Sequence, residues 1–165
     1  MLDSWTFEHA GRRYRAEVHH DAGMGAPWVE HDGHGPVSDW VTRDKRPGEL
    51  VLSVDSRGRA KRFYDFAGAC KQARAEGWDA PPYKTGTRKE RATRAALADF
   101  ERLRAWCNDE WCWAGVIVTP FCECCGDYAE ARAESLWGIE SDAGDYLHEV
   151  AEELAEQVAA AKVTA

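Results

Sequence analysis

Three groups of side chains in this sequence have types and spacings that can do chemistry. The first is a carboxylate stripe: Asp145, Glu149, Glu152 and Glu156 recur at steps of four, three and four, with Glu153 beside them and Asp142 just upstream. On a helix this spacing lines one face with negative charge, a surface for docking a cationic partner. The second is Cys122-Glu123-Cys124-Cys125-Gly126, a C-x-x-C-G pattern. Cysteines at that spacing bind zinc when a second pair completes four ligands, and the nearest second pair is Cys107 and Cys112. The third is Glu30-His31-Asp32-Gly33-His34. His31, Asp32 and His34 can offer N and O ligands to a divalent metal for hydrolysis, and His19, His20 and Asp21 lie upstream. This order matches no helical H-E-x-x-H site.

Charge limits what these groups serve. From Thr119 to Ala165 there are 11 acidic residues against Arg132 and Lys162, so the whole net charge of −8 lies at one end. Residues 41–95 are basic, with 14 Lys and Arg against 7 Asp and Glu. Arg57, Arg59, Lys61 and Arg62 sit near Phe63 and Tyr64, a composition that suits single strands of nucleic acid, but the acidic end subtracts from phosphate attraction. The sequence has no G-x-x-x-x-G-K-[ST], no G-x-S-x-G and no dinucleotide fingerprint. With no secretory leader and no apolar run near membrane-spanning length, a cytosolic chain with reduced cysteines is expected.

Positioning these groups falls to six elements. Trp5–Val18 alternates about Ala10-Gly11 and predicts a β-hairpin. Residues 19–40 form a long ordered loop. Leu50–Val54 and Ala60–Tyr64 flank Asp55-Ser56-Arg57-Gly58 as a second hairpin. Asp65 caps a helix over 66–76 that Gly77 stops, and an extended connection follows over 79–86. Thr87 caps a longer helix to about Asn108, with Ala96, Phe100, Leu103 and Cys107 as its buried stripe. Trp111–Phe121 and Tyr128–Ile139 form a third hairpin, in which Ala129, Ala131 and Ala133 alternate with charged residues. Ser141 caps an acidic C-terminal helix over about 141–160, whose apolar stripe is Leu147, Val150, Ala151, Leu154 and Val158. The tail after Ala160 is expected to fray. The predicted architecture is one α+β domain over 1–165: an antiparallel sheet from three hairpins with three helices covering one side.

Several segments carry a further likeness. Ala26-Pro27-Trp28-Val29-Glu30-His31-Asp32-Gly33-His34-Gly35-Pro36-Val37-Ser38-Asp39-Trp40, then Arg62-Phe63-Tyr64-Asp65-Phe66 with Gly77-Trp78-Asp79-Ala80-Pro81-Pro82-Tyr83, and Leu136-Trp137-Gly138-Ile139-Glu140-Ser141, resemble uncharacterised proteins of tailed phages and prophages. The resemblance implies an accessory protein acting in the cytoplasm of a bacterial host, with no activity or catalytic residue to carry over. By analogy, small acidic phage accessory proteins often bind and block host machinery, including CRISPR effectors and restriction enzymes, some by imitating nucleic acid. The expectation is therefore a non-enzymatic binding protein. Asp142, Asp145, Glu149, Glu152, Glu153 and Glu156 would dock on a basic host protein, of the kind met in anti-CRISPR or anti-restriction inhibition. No cofactor is required. The alternatives are a metal-dependent hydrolase or nuclease using His31, Asp32 and His34, and a module stabilised by zinc on Cys107, Cys112, Cys122 and Cys125.

Overall fold

Trp113–Cys122 is a nearly unbroken apolar run, and it becomes the central strand of a sheet. In the computed structural model, which describes residues 1–78 and 85–161, the chain divides into two compact units: residues 1–24 with 111–165, and residues 25–110. Both units are α+β with antiparallel strands.

The first unit is built on a five-stranded sheet. Strands β1 (Asp3–His9) and β2 (Arg12–His20) form the first predicted hairpin. Its turn residues Ala10 and Gly11 take φ of 50° and 72°. Two successive left-handed residues suit the right-handed twist of a two-residue hairpin. The far edge of β2 pairs antiparallel with β5 (Trp113–Cys122), Tyr14 opposite Pro120 and Val18 opposite Val116. The other edge of β5 takes β6 (Asp127–Tyr128) at its end and β7 (Glu134–Glu140) along its length. Alternation puts Tyr14, Ala16, Val18, Ala114, Val116, Val118 and Ile139 into one core cluster with Val150, Ala151, Leu154, Ala155 and Val158 of helix α4 (Tyr146–Ala161).

Two expectations for this unit are corrected. The strand expected over Tyr128–Ile139 is interrupted by a 3-10 turn at Glu130–Arg132 in which nothing is buried. Alanines alternating with charges have low strand propensity and no burial to hold them extended. Arg15 meanwhile holds Glu130 at 2.6 Å. Ser141 does not cap the last helix. Its Oγ accepts from the Cys112 amide at 2.9 Å and its own amide donates to the Cys112 carbonyl at 2.8 Å, which extends the β5–β7 edge. The chain then turns through Gly144 at φ 60°, and the Asp145 carbonyl takes the first helical bond, from Glu149.

The second unit holds a separate two-stranded sheet, so the three hairpins are shared between two sheets. Strands β3 (Glu49–Val54) and β4 (Lys61–Asp65) pair antiparallel, and the 37–41 segment adds isolated bridges to β4. Asp65 caps α2 (Phe66–Glu76) by accepting from the Gly68 amide at 2.8 Å, and Gly77 ends it in the left-handed conformation. Thr87 and Glu90 form a reciprocal capping box on α3 (Arg88–Cys107). Leu52, Tyr64, Ala69, Ala96, Phe100 and Leu103 make the core of this unit, with Trp28 and Cys107 packed against it. The loop before it contains one short helix, α1 (Pro27–Glu30). The predicted connection over 79–86 lies mostly, and the tail after Ala160 almost wholly, outside the described residues.

Candidate functional site

Charge follows the two units. The first carries 15 acidic and 5 basic side chains, net −10, and the second 14 and 16, net +2. The β1–β2 hairpin therefore joins the acidic end of the sequence and offsets none of it.

Helix α4 presents that charge. Its Val150–Leu154–Val158 side is buried against the sheet, while Asp145, Glu149, Glu152, Glu153 and Glu156 are all exposed, as is Asp142 before it. Among the described residues Glu149, Glu152 and Glu153 make no ion pair, and Glu156 has His9 at 3.9 Å. Like charges three and four apart cost a helix about 0.2–0.5 kcal/mol per pair. Burial of five side chains on the opposite face offsets this. The stripe stays open to solvent on a helix whose other side is packed.

The cysteines separate. Cys112 immediately precedes β5 and Cys122 ends it. At about 3.3 Å per strand residue, they stand about 30 Å apart, so Cys112 does not join Cys122 and Cys125. Cys107 lies on α3 in the second unit, packed against its core, where burial pushes its thiol up. The structure brings together instead Cys122, Cys124 and Cys125, whose sulfurs all lie within 4.8 Å of one another at the β5–β6 turn. Gly126, at φ 71°, permits the tight return, and its amide donates to the Cys122 carbonyl at 2.9 Å. Cys122 Sγ and Cys124 Sγ are 2.7 Å apart. A hydrogen bond from Cys124, followed by the Cys125 amide, holds the Cys122 thiol down at about 6, and the same contact pushes Cys124 up. Cys124 was not among the sequence-derived ligands, although its place inside the C-x-x-C was a signal.

The histidines disperse as well. His19 and His20 are strand residues of β2, and Asp21 accepts from the Gly23 and Gly138 amides. His31 and Asp32 are exposed, and among the described residues they form no metal-sized cluster with His34. His34 Nδ1 lies 2.6 Å from Asp99 Oδ1. The other oxygen of Asp99 accepts from Tyr64 Oη at 2.7 Å and from the Gly35 amide at 2.8 Å. Desolvation, and then the Asp99 carboxylate, raises the Tyr64 phenol far above its ordinary value, so it stays a donor. Asp99 was missed by the sequence reading. Its signal was an acid at position 99 between Ala96 and Leu103, inside the buried stripe of α3.

Of the basic residues singled out near Phe63 and Tyr64, Arg62 stacks on aromatic rings, as does Arg43 nearby. The Arg62 guanidinium lies 5.0 Å from the Trp28 ring and 4.8 Å from the Trp40 ring, and Arg43 lies 4.5 Å from Phe63 while pairing with Glu49. Each guanidinium covers one face of each ring it stacks on. Comparison with protein-family models, with curated proteins and with solved structures finds no match. Among the described residues no helix is long and apolar enough to cross a membrane.

Proposed function

We propose that the chain is a binding protein, not an enzyme, that docks the carboxylate face of α4 on a basic surface of a partner protein. The observation that carries this reading is the exposed, unpaired set Glu149, Glu152 and Glu153 on a helix whose opposite side is locked into the core. A helix packed on its opposite side fixes the backbone that presents these carboxylates, so docking a cationic partner costs the ordering of their side chains but not of the helix. The field of a unit at −10 steers such a partner and repels nucleic acid.

The sequence motifs supply the setting: a phage-encoded accessory protein in the cytoplasm of a bacterial host. The partner is then a basic nucleic-acid-binding protein, and the action is inhibition of a defence nuclease by occupying its phosphate-binding surface. Asp145, Glu149, Glu152 and Glu156 repeat at about 4.5–6 Å along the axis, wider than the roughly 3.4 Å axial step between phosphates of one DNA strand. The support for that action is therefore the one-sided run of charge and not a phosphate register. Affinity capture from bacterial lysate tests the reading, with the tagged chain compared against a Glu149→Lys/Glu152→Lys/Glu153→Lys variant of unchanged circular dichroism. Wild type retains a basic protein that the variant loses. Equal recovery of that protein by both chains rejects the docking surface.

A further inference from the structure

The β5–β6 turn carries a group of side chains that the docking reading leaves unused. Cys122, Cys124 and Cys125 place three sulfurs within 4.8 Å of one another. Three sulfurs bound to one zinc-sized ion at about 2.3 Å stand about 3.8–4 Å apart, so the Cys122–Cys124 pair, at 2.7 Å, must open by about 1 Å, and a pair near the 4.8 Å limit must close by about as much. Cys124 and Cys125 are exposed and Cys122 is half-buried, which leaves a path for the ion from solvent. The short turn through Gly126 keeps the donors near one another without help from any distant segment.

We propose that Cys122, Cys124 and Cys125 form a trithiolate site for a thiophilic metal ion of the zinc class. Thiolates select such ions over magnesium or calcium. Three thiolates on one divalent ion give an M(SR)3 centre of charge −1, and each sulfur that still carries its proton releases it on binding. No further His, Cys, Asp or Glu ligand atom joins the cluster among the described residues. The fourth position of a tetrahedral ion is thus left to water or to a donor from outside the chain, as in open rather than closed zinc sites. The site differs from the four-cysteine arrangement expected from the sequence, because β5 holds Cys112 at its other end. It is independent of the α4 surface, and the failure of either leaves the other standing.

The test uses the full, fully reduced chain and cadmium as the probe. One equivalent of Cd2+ should produce thiolate-to-metal charge-transfer absorption. Saturation should remove three thiols from those that react with a disulfide reagent in the metal-free chain, the loss falling on Cys122, Cys124 and Cys125. Cys124→Ser should weaken binding at least tenfold, while Cys112→Ser leaves the absorption and stoichiometry unchanged. The exposed turn tolerates the first change, which unaltered circular dichroism checks. No charge-transfer band at excess cadmium with all six thiols reduced would overturn the site, as would undiminished binding by Cys124→Ser or dependence on Cys112.

Discussion

His34 Nδ1 meets Asp99 Oδ1 at 2.6 Å across 65 residues of chain. The carboxylate that orients this imidazole also receives the Tyr64 hydroxyl and the Gly35 amide, so the 31–37 loop and strand β4 are tied to α3 through one side chain. Asp99→Ala strips the acceptor from these donors in a largely buried place. An expected loss of about 2–3 kcal/mol follows from hydrogen bonds to a charged group. Urea denaturation measures it, and a variant within about 0.5 kcal/mol of wild type would show that Asp99 does not clamp the loop.

Gly35 sits against the same clamp. A Cβ there would lie 2.6 Å from the Ala69 Cβ and collide with the Tyr64 hydroxyl. Gly35→Ala must push α2 or Tyr64 away, at a cost of about 1–3 kcal/mol by overpacking. Thermal melting of the purified variant shows this as a lowered midpoint, whereas Gly33→Ser, in open space at φ 94°, pays only for its backbone conformation.

The Arg43–Glu49 pair makes stability depend on acid. Two guanidinium bonds of 2.7 Å hold the Glu49 carboxyl down at about 2, from an ordinary 4.5. A carboxyl depressed in the folded state stabilises fully above its unfolded value, and that contribution is lost as pH falls from about 4.5 toward 2. In Glu49→Gln the corresponding part of the decline is absent. Chemical denaturation midpoints of both proteins from pH 6 to 2 would reveal the difference as converging curves.

Cys122 offers a pH profile of its own. With its thiol held at about 6, it is a thiolate at neutral pH, and its alkylation rate should fall as pH drops through about 6. Cys124→Ala removes the main hydrogen bond and should move that midpoint up toward the ordinary 9. Mass spectrometry of peptides after timed alkylation follows Cys122 alone, and an unmoved midpoint contradicts the assigned cause.

Local signals in the sequence survive folding where the energy that sets them is local. Asp65, Gly77 and Thr87 cap the helices they were expected to cap, and Glu90 completes the Thr87 cap as a reciprocal box, because each cap is decided within four residues of its helix end. The α4 stripe and its exposed acids were legible for the same reason, through a period of 3.6. The α+β class followed from hairpins grouped with helices, and antiparallel sheets are what the structure has. The pairing of β2 with β5 was not legible, since it joins residues about a hundred positions apart and periodicity carries no partner information. Asp99 as the partner of His34 was hidden likewise. Cys112 was grouped with Cys122 by proximity in sequence, which an extended strand turns into distance. Ser141 failed as a cap because Gly144 lets the chain turn once more before α4 begins.

The carboxylates of α4 carry a stability signature of their own. Glu153 lies four residues after Glu149 and three before Glu156, so Glu153→Lys replaces two repulsions by two attractions, each about 0.2–0.5 kcal/mol. The variant should therefore be slightly more stable than wild type while binding its partner less well, the pattern of a surface kept for recognition rather than for folding.

The central claim is tested most directly by the association of the purified chain with its purified captured partner, followed over a salt series. Wild type should bind with an association rate that falls steeply as salt rises. The Glu149→Lys/Glu152→Lys/Glu153→Lys variant should lose at least a hundredfold in affinity and most of the salt dependence. Equal affinity and equal salt dependence in the two proteins would contradict docking through the α4 ridge.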